Sequence, residues 1–338
     1  MNLLSNVSLK PYNTFGIDVS AAFFKEVTRQ EEITEIFRSG KTGQLDKLVL
    51  GGGSNVLFTK DFNGIVIRID LKGVSVVNED NDHVWVKAGA GEKWHELVMW
   101  CIDKNLAGIE NLSLIPGNTG AAPMQNIGAY GVELKDTFYE LAAFDIDKLK
   151  TVTFSKEDCN FGYRESVFKR NLKGQYIITS ITLKLNKKAT YHISYGAIEQ
   201  ELNRMGIQQL SIKAISQAVI NIRRSKLPDP LILGNAGSFF KNPEIAIQQF
   251  EELKRQYPNI TAYPAATGKI KLAAGWMIEQ CGWKGKRVGN TGAHKDQALV
   301  LVNYGNATGK EIYELALEIK KSVLEKFNVT IEPEVNVV

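Results

Sequence analysis

Cysteine is scarce in this chain, and the little there is excludes two classes of stabilisation. The 338 residues hold three cysteines, Cys101, Cys159 and Cys281. They are widely spaced, odd in number and without a His or Cys at ligand spacing, which argues against a disulfide framework and a zinc site. Small buried hydrophobes are the expectation for all three. Long apolar runs are missing as well: nowhere do roughly 18 apolar residues follow one another, the length a membrane helix needs. The first ten residues lack a basic stretch leading into an apolar one, so no export signal is expected and the cytoplasm is the expected location. Charge of one sign is lacking too. The 41 basic and 37 acidic residues are scattered and sum to +4, too dilute for a nucleic-acid footprint but compatible with anionic small molecules. What is present, 44% hydrophobic and 23% charged residues, is ordinary globular composition without repeats. The length suggests two or three domains of about 100–200 residues each.

Periodicity predicts alternating elements. Ile33, Ile36 and Phe37 place a helix over 31–38, followed by an apolar strand over 47–50 that meets the turn 51–55. Strands are predicted over 64–71 and 83–87, and a helix over 93–104 with Trp94, Leu97, Val98, Cys101 and Ile102 on one face. In a strand over 176–185, Ile177, Thr179, Ile181, Leu183 and Leu185 should share a face. Polar residues 186–189 then read as a boundary. Beyond it, helices are predicted over 198–205, 212–224, 246–256 and 311–327, the last with Ile312, Leu315, Ile319, Val323 and Leu324 inward. Segments 236–242, 274–285 and 291–302 read as Gly-rich, polar binding loops.

Two glycine-rich segments stand out. Gly51, Gly53 and Val56 nearly match the dinucleotide fingerprint, but the third glycine is absent and the segment enters a strand at 56–58 rather than a helix. Gly89 and Gly91 follow a strand and open a helix, yet Trp94 fills the third position, where close packing needs glycine. A P-loop is excluded because no glycine run precedes a Gly-Lys-Ser or Gly-Lys-Thr. There remain Gly51, Gly52, Gly53, Ser54 and Asn55, and the stretch 116–131 with Pro116, Gly117, Thr119, Gly120, Ala121, Gln125, Asn126, Gly128 and Ala129. Glycine and alanine leave backbone N–H groups bare, so two such loops could cradle a diphosphate and let a flat ring lie against backbone.

These two segments resemble the flavin-binding half of the UDP-N-acetylenolpyruvoylglucosamine reductase family, in its longer, type I form. Further matches follow in order: Asn13-Thr14-Phe15, then 161–168 around Arg164, Tyr195-Gly196, 234–243 around Ser238, and Glu332-Pro333-Glu334-Val335. The resemblance implies an α+β fold: a PCMH-type (vanillyl-alcohol-oxidase-like) FAD-binding domain followed by a smaller α/β substrate-binding domain. It implies domains 1–186, in two subdomains parting near 70, and 187–338, with residues near 330–338 returning to the active site. It also implies an FAD-containing oxidoreductase in which NADPH reduces FAD and the flavin reduces the enolpyruvyl group of a UDP-sugar. The product would be UDP-N-acetylmuramate, for peptidoglycan synthesis and hence cell wall, shape and division. A monomer is expected, with no nucleic-acid or membrane partner, no metal, and noncovalent FAD, since neither flavin loop contains His or Cys.

The chemistry suits the matched residues. Hydride delivered to C3 of the enolpyruvyl group pushes negative charge toward C2 and its carboxylate, where the planar, permanent charge of Arg164 can hold it. The resulting enolate needs a proton at C2, and Ser238 matches the family's donor. Glu334 matches the third catalytic position; Glu332, two residues earlier and on the same face were the segment a strand, is the competing assignment. Tyr195, Arg223, Lys226, Asn242, Tyr263, Lys284 and Gln297 match positions that hold the UDP-sugar or nicotinamide. After Val335 the family continues through Arg, whereas this chain has Asn336. Two other functions compete with the reductase. One is a flavin oxidase or dehydrogenase of the same superfold on another substrate; the other is a nucleotide-binding module without chemistry.

Overall fold

The computed structural model describes residues 2–40, 42–265 and 268–338. The chain forms two compact units, Met1–Val7, Ala21–Gly52 and Asn63–Ser225 in one, and Ser8–Ser20, Gly53–Phe62 and Lys226–Val338 in the other.

The first unit carries two sheets. Strands Leu4–Ser8, Ser20–Val27, Phe62–Ile69 and Lys47–Leu50 lie in that order. Helix Gln30–Arg38 packs Ile33 and Ile36 against Val27, Ile65 and Ile67 of this sheet. Its start is fixed by Glu32, whose carboxylate accepts the N–H groups of Thr28 and Arg29 that the helix leaves unpaired. The chain leaves this sheet at Ile69 and enters a second, antiparallel one at Val74. Its order is Lys150–Ser155, Phe138–Asp145, Tyr176–Asn186, His83–Gly89 and Val74–Glu79. Helix Trp94–Asp103 buries the predicted face, Trp94, Leu97, Val98, Cys101 and Ile102, in a core shared with Val86, Leu183 and Leu185. Each such side chain contributes about 1.5–3 kcal/mol when fully buried. Burial pushes the thiols of Cys101 and Cys159 up to about 12, so both stay neutral.

Strand Tyr176–Asn186 departs from simple alternation. Its register with Phe138–Asp145 shifts at Thr179, between the pairs Ala142–Ser180 and Ala143–Ile178. The bulge reverses which side chains face which core: Ile178 joins Ile181, Leu183 and Leu185, while Ile177 packs on the first sheet with Ala90 and Phe144. The expected single face of Ile177 and Ile181 is thereby corrected. The bulged Thr179 offers its C=O to the N–H of Ala90 at 2.9 Å, beside the glycine loop.

The first compact unit runs on to Ser225. Ile212 of helix Ile212–Lys226 sits in the second-sheet core, and Ser216 Oγ meets Ser113 Oγ at 2.7 Å in a buried contact. These contacts keep the polar stretch after Asn186 and the two helices behind it with the first unit.

The second unit gathers strands Gly234–Ser238, Val300–Asn303, Thr291–Ala293 and Arg287–Val288 in one antiparallel sheet, and Glu244–Ala246, Lys269–Leu272 and Ala262–Pro264 in another. Helix Gly309–Phe327 starts at Thr308, whose Oγ1 accepts the N–H of Glu311, and ends at Asn328 in left-handed backbone. It buries Ile312, Leu315, Ala316, Ile319, Val323 and Phe327, but Leu324 is 43% exposed, one position off that stripe, contrary to expectation. Segment 274–285, expected as a loop, opens with helix Ala274–Gln280, whose small Ala and Gly residues pack closely rather than form a turn. Asn13, Thr14 and Phe15 are structural here. The Asn13 side chain closes a loop by bonding Leu9 O and Ile17 O and accepting from Ile17 N–H, Thr14 O accepts from Asn235 N–H, and Phe15 O accepts from Asn303 Nδ2.

Candidate active site

In the first unit the two glycine segments meet. A Cβ on Gly52 would lie 3.0 Å from Gly117 Cα and 2.9 Å from Asn118 Oδ1, and one on Gly120 would lie 2.6 Å from Ala90 Cβ. Backbone therefore faces backbone, which only glycine permits. Trp94 N–H donates to Gly117 O, Thr119 N–H to Glu92 O and Gly120 N–H to Ala90 O, which pins the loop across the end of the second sheet. Thr119 is fully buried, and its hydroxyl donates to Gly89 O; its side chain braces the loop instead of lining a cradle. Gly51 and Gly52 are counted with the first unit and Gly53, Ser54 and Asn55 with the second. Gly53 has φ +63°, and a Cβ there would fall 1.9 Å from Tyr12 O, so both its conformation and its surroundings demand glycine.

Arg164 stands on a tight turn whose Gly162 and Glu165 exchange backbone hydrogen bonds. Its φ of +55° is unusual for a long side chain. The turn is stitched to the glycine loop by side chains. Asn126, fully buried, donates to Gly162 O at 3.0 Å and Glu133 Oε2 at 3.1 Å while accepting from Lys135 N–H. Arg164 Nη2 donates to Gly128 O at 2.8 Å, Ser166 Oγ to Met124 O at 2.8 Å, and Lys169 Nζ to Gln125 Oε1 at 3.4 Å. Asn126 and Gln125 thus act here as struts of the loop.

Arg223 lies on the same unit and donates through Nε to Leu114 O at 3.2 Å. Burial pushes its guanidinium below the ordinary value; Tyr130 opposes that shift and Arg164 adds to it. Two partly buried guanidinium groups close enough to repel make a place that an anion would stabilise. Leu114 itself has φ +58° and donates its N–H to His95 Nδ1 at 3.0 Å, so this strained residue before Pro116 is clamped from both sides. Burial pushes the His95 imidazole down, with Arg224 and Arg223 reinforcing the shift and Glu96 opposing it. His95 and Leu114 carry no mark in the sequence; an isolated His or Leu in an apolar stretch has no pattern that separates it from core. Tyr195 is half exposed.

In the second unit, Ser238 ends a strand that bulges between Asn235 and Ser238. Gly237, with φ +69°, donates its N–H to Asn235 Oδ1, a bulge of the kind that re-aims a side chain. The neighbouring Phe239 accepts from Glu334 N–H at 2.7 Å, and Asn55 Nδ2 donates to Glu334 O at 3.2 Å. Strand Asn336–Val337 then runs parallel to Val56–Leu57. Residues 332–334 make only an isolated bridge, Pro333 with Phe240, rather than the strand considered for the two glutamates. Glu332 reaches the surface and pairs with Lys320 at 2.8 Å. Of the remaining matched residues, Asn242 Oδ1 accepts the N–H of Ala274, Gln297 Oε1 accepts that of Leu299, and Lys284 pairs with Glu279 at 2.9 Å. Tyr263 sits on strand Ala262–Pro264, and Lys226 is exposed at the end of its helix.

With its two-unit α+β fold, the chain falls in the class of FAD-binding proteins by the match of its first unit. The description "FAD binding domain" matches residues 21–147, and "UDP-N-acetylenolpyruvoylglucosamine reductase, C-terminal domain" matches residues 229–338. The chain is 52% identical to the UDP-N-acetylenolpyruvoylglucosamine reductase of Flavobacterium johnsoniae, with all of both chains covered. It is 48% identical to that of Pseudomonas putida, over 98% of this chain and 97% of the relative. The crystal structure of the Thermus caldophilus reductase superposes with a TM-score of 0.69 at 25% identity, covering 100% of this chain and 99% of the other. The chain belongs to the UDP-N-acetylenolpyruvoylglucosamine reductase family. Its fold is the expected one, a PCMH-type FAD-binding domain with a smaller substrate-binding domain.

Proposed function

We propose that this chain is an FAD-containing oxidoreductase that uses NADPH to reduce UDP-N-acetylglucosamine enolpyruvate to UDP-N-acetylmuramate, a step of peptidoglycan precursor synthesis. Full-length identity of 52% to a reductase of that name supports the activity. The residues fit the cofactor: glycine at 52 lets residues 51–52 meet 117–118 backbone to backbone, the close pairing that brings the two segments read as a cradle together. Residues 51–55 and 116–129 would hold FAD, which when bound supplies hydride transfer from NADPH to the enolpyruvyl carbon.

The observation that carries the assignment of roles is Arg164 Nη2 bonded to Gly128 O, which ties a guanidinium directly to the flavin loop. There Arg164 would hold the substrate carboxylate and the charge that develops beside it. Ser238, set by its bulge, would pass its proton to C2, and Glu334, anchored at Phe239 and Asn55, would support that transfer. Glu334 is taken over Glu332 because it directly precedes Val335, as in the family pattern, while Glu332 pairs with Lys320 at the surface. Arg223, Tyr195, Lys226, Asn242, Tyr263, Lys284 and Gln297 would hold the nucleotide sugar or nicotinamide. Lys284 must exchange Glu279 for its ligand, which an exposed ion pair permits at little cost. The working form is taken as a cytoplasmic monomer, which size-exclusion chromatography with light scattering tests.

Absorbance of the purified protein tests the whole. A flavin spectrum bleached by NADPH and restored anaerobically by the enolpyruvyl UDP-sugar is the expected result. A flavin that only other acceptors reoxidise would point to a different substrate, and a colourless protein that binds no FAD would remove the assignment.

A further inference from the structure

Asn111 lies in the short turn Glu110–Leu112 and is 1% exposed. Its Nδ2 donates twice, to Tyr130 O at 3.0 Å and to His192 O at 2.7 Å, while its Oδ1 is buried with no partner among the described residues. The two carbonyls belong to segments that touch again just beyond. A Cβ on Gly131, at φ +81°, would sit 3.2 Å from Tyr195 Cβ, and one on Gly196, at φ +70°, would sit 3.6 Å from Tyr130 Cδ1. Each tyrosine therefore packs over the other's glycine. One amide side chain joins the end of the flavin loop to the tyrosine segment, and it does so at the expense of a buried acceptor left unpaired, which a merely space-filling residue would avoid.

We propose that Asn111 is a positioning residue for nucleotide-sugar binding: by cross-linking Tyr130 and His192 it seats Tyr195 against Gly131. The inference rests on Tyr195 being a substrate contact. The position needs two N–H donors aimed at two carbonyls. Aspartate would set acceptor against acceptor, and leucine would strand both carbonyls.

Steady-state kinetics on the full-length holoenzyme tests this. Asn111→Leu and Asn111→Asp are each expected to raise KM for the enolpyruvyl UDP-sugar about tenfold, the scale of a lost buried hydrogen bond, with a smaller change in kcat and an unshifted visible flavin spectrum. In a Tyr195→Ala background the rise should vanish, because the residue being positioned is gone. An unchanged KM, a full additional rise on top of Tyr195→Ala, or a shifted flavin spectrum would overturn the proposal, the last by making Asn111 a prop of the flavin loop. A wild-type KM for Tyr195→Ala alone would instead remove Tyr195 from substrate binding. Should both Asn111 variants fail to fold, Gly131→Ala presses on Tyr195 from the other side, and a KM left unchanged by it would equally overturn the proposal.

Discussion

Arg164 and Ser238 are fixed by different means. Arg164, in the first unit, adopts a backbone conformation that arginine disfavours, and four neighbouring side chains, its own included, stitch its turn to the flavin loop. Ser238, in the second unit, is aimed by a bulge whose Gly237 supplies the left-handed residue and is held through its N–H by the Asn235 side chain. The difference follows from the tasks proposed for them. A fixed charge that must meet a developing charge gains from rigid side-chain bracing. A hydroxyl that gives up a proton needs its oxygen unencumbered, and bracing applied at the neighbouring Gly237 leaves it so.

The comparison can be broken first at the charge. Arg164→Met is expected to lower kcat/KM about 10³-fold with FAD still bound, measured by NADPH oxidation; a loss below tenfold would remove Arg164 from the chemistry. Loosening the bracing should cost less. Asn126→Leu deletes bonds to Gly162, Glu133 and Lys135, and activity should fall about tenfold alongside a stability loss of about 2–4 kcal/mol in urea. Unaltered turnover would mean that the Arg164 turn holds itself. Next, Glu334→Gln should slow the oxidation of reduced flavin by substrate, whereas Glu332→Gln should leave turnover near wild type and cost less than about 1 kcal/mol, since it removes only an exposed ion pair. The reverse pattern would exchange the two roles.

The smallest effect concerns pH. His95 is held below its ordinary value of 6.5 and accepts the Leu114 N–H through Nδ1. Its folded form binds a proton less readily than its unfolded form, so its contribution to stability is present above pH 6.5 and falls away below it. His95→Gln should flatten that part of the stability profile, measured by thermal melts between pH 5 and pH 8 against wild type (~0.5–1 kcal/mol). An unchanged slope would assign the acid sensitivity elsewhere.

Much of the frame was legible in the sequence because it rests on local patterns. Helix Trp94–Asp103 buries the face its spacing predicts, and strand Lys47–Leu50 runs where its apolar residues are. What escaped was set by tertiary contact. The Thr179 bulge has no sequence mark, so alternation puts Ile177 and Ile181 on one face although they enter different cores. Leu324 missed the buried stripe by one helical position. Helix Ala274–Gln280 hid behind small residues that also suit loops. The site divides in the same way. Glycine needs were readable at Gly52, Gly53 and Gly120, because close approach selects for a missing side chain. The bracing by Asn126, the clamp of His95 and Arg223 on Leu114, and the double donation by Asn111 were not, because a buried polar residue looks in sequence like an exposed one.

The account's central claim is a division of labour, with the fixed charge of Arg164 on the first unit and the proton donor Ser238 on the second. Anaerobic stopped-flow spectroscopy of Ser238→Ala separates the two half-reactions. NADPH should reduce the bound flavin at the wild-type rate, and the enolpyruvyl UDP-sugar should then reoxidise it about 10²- to 10⁴-fold more slowly. Reoxidation at the wild-type rate would contradict the account.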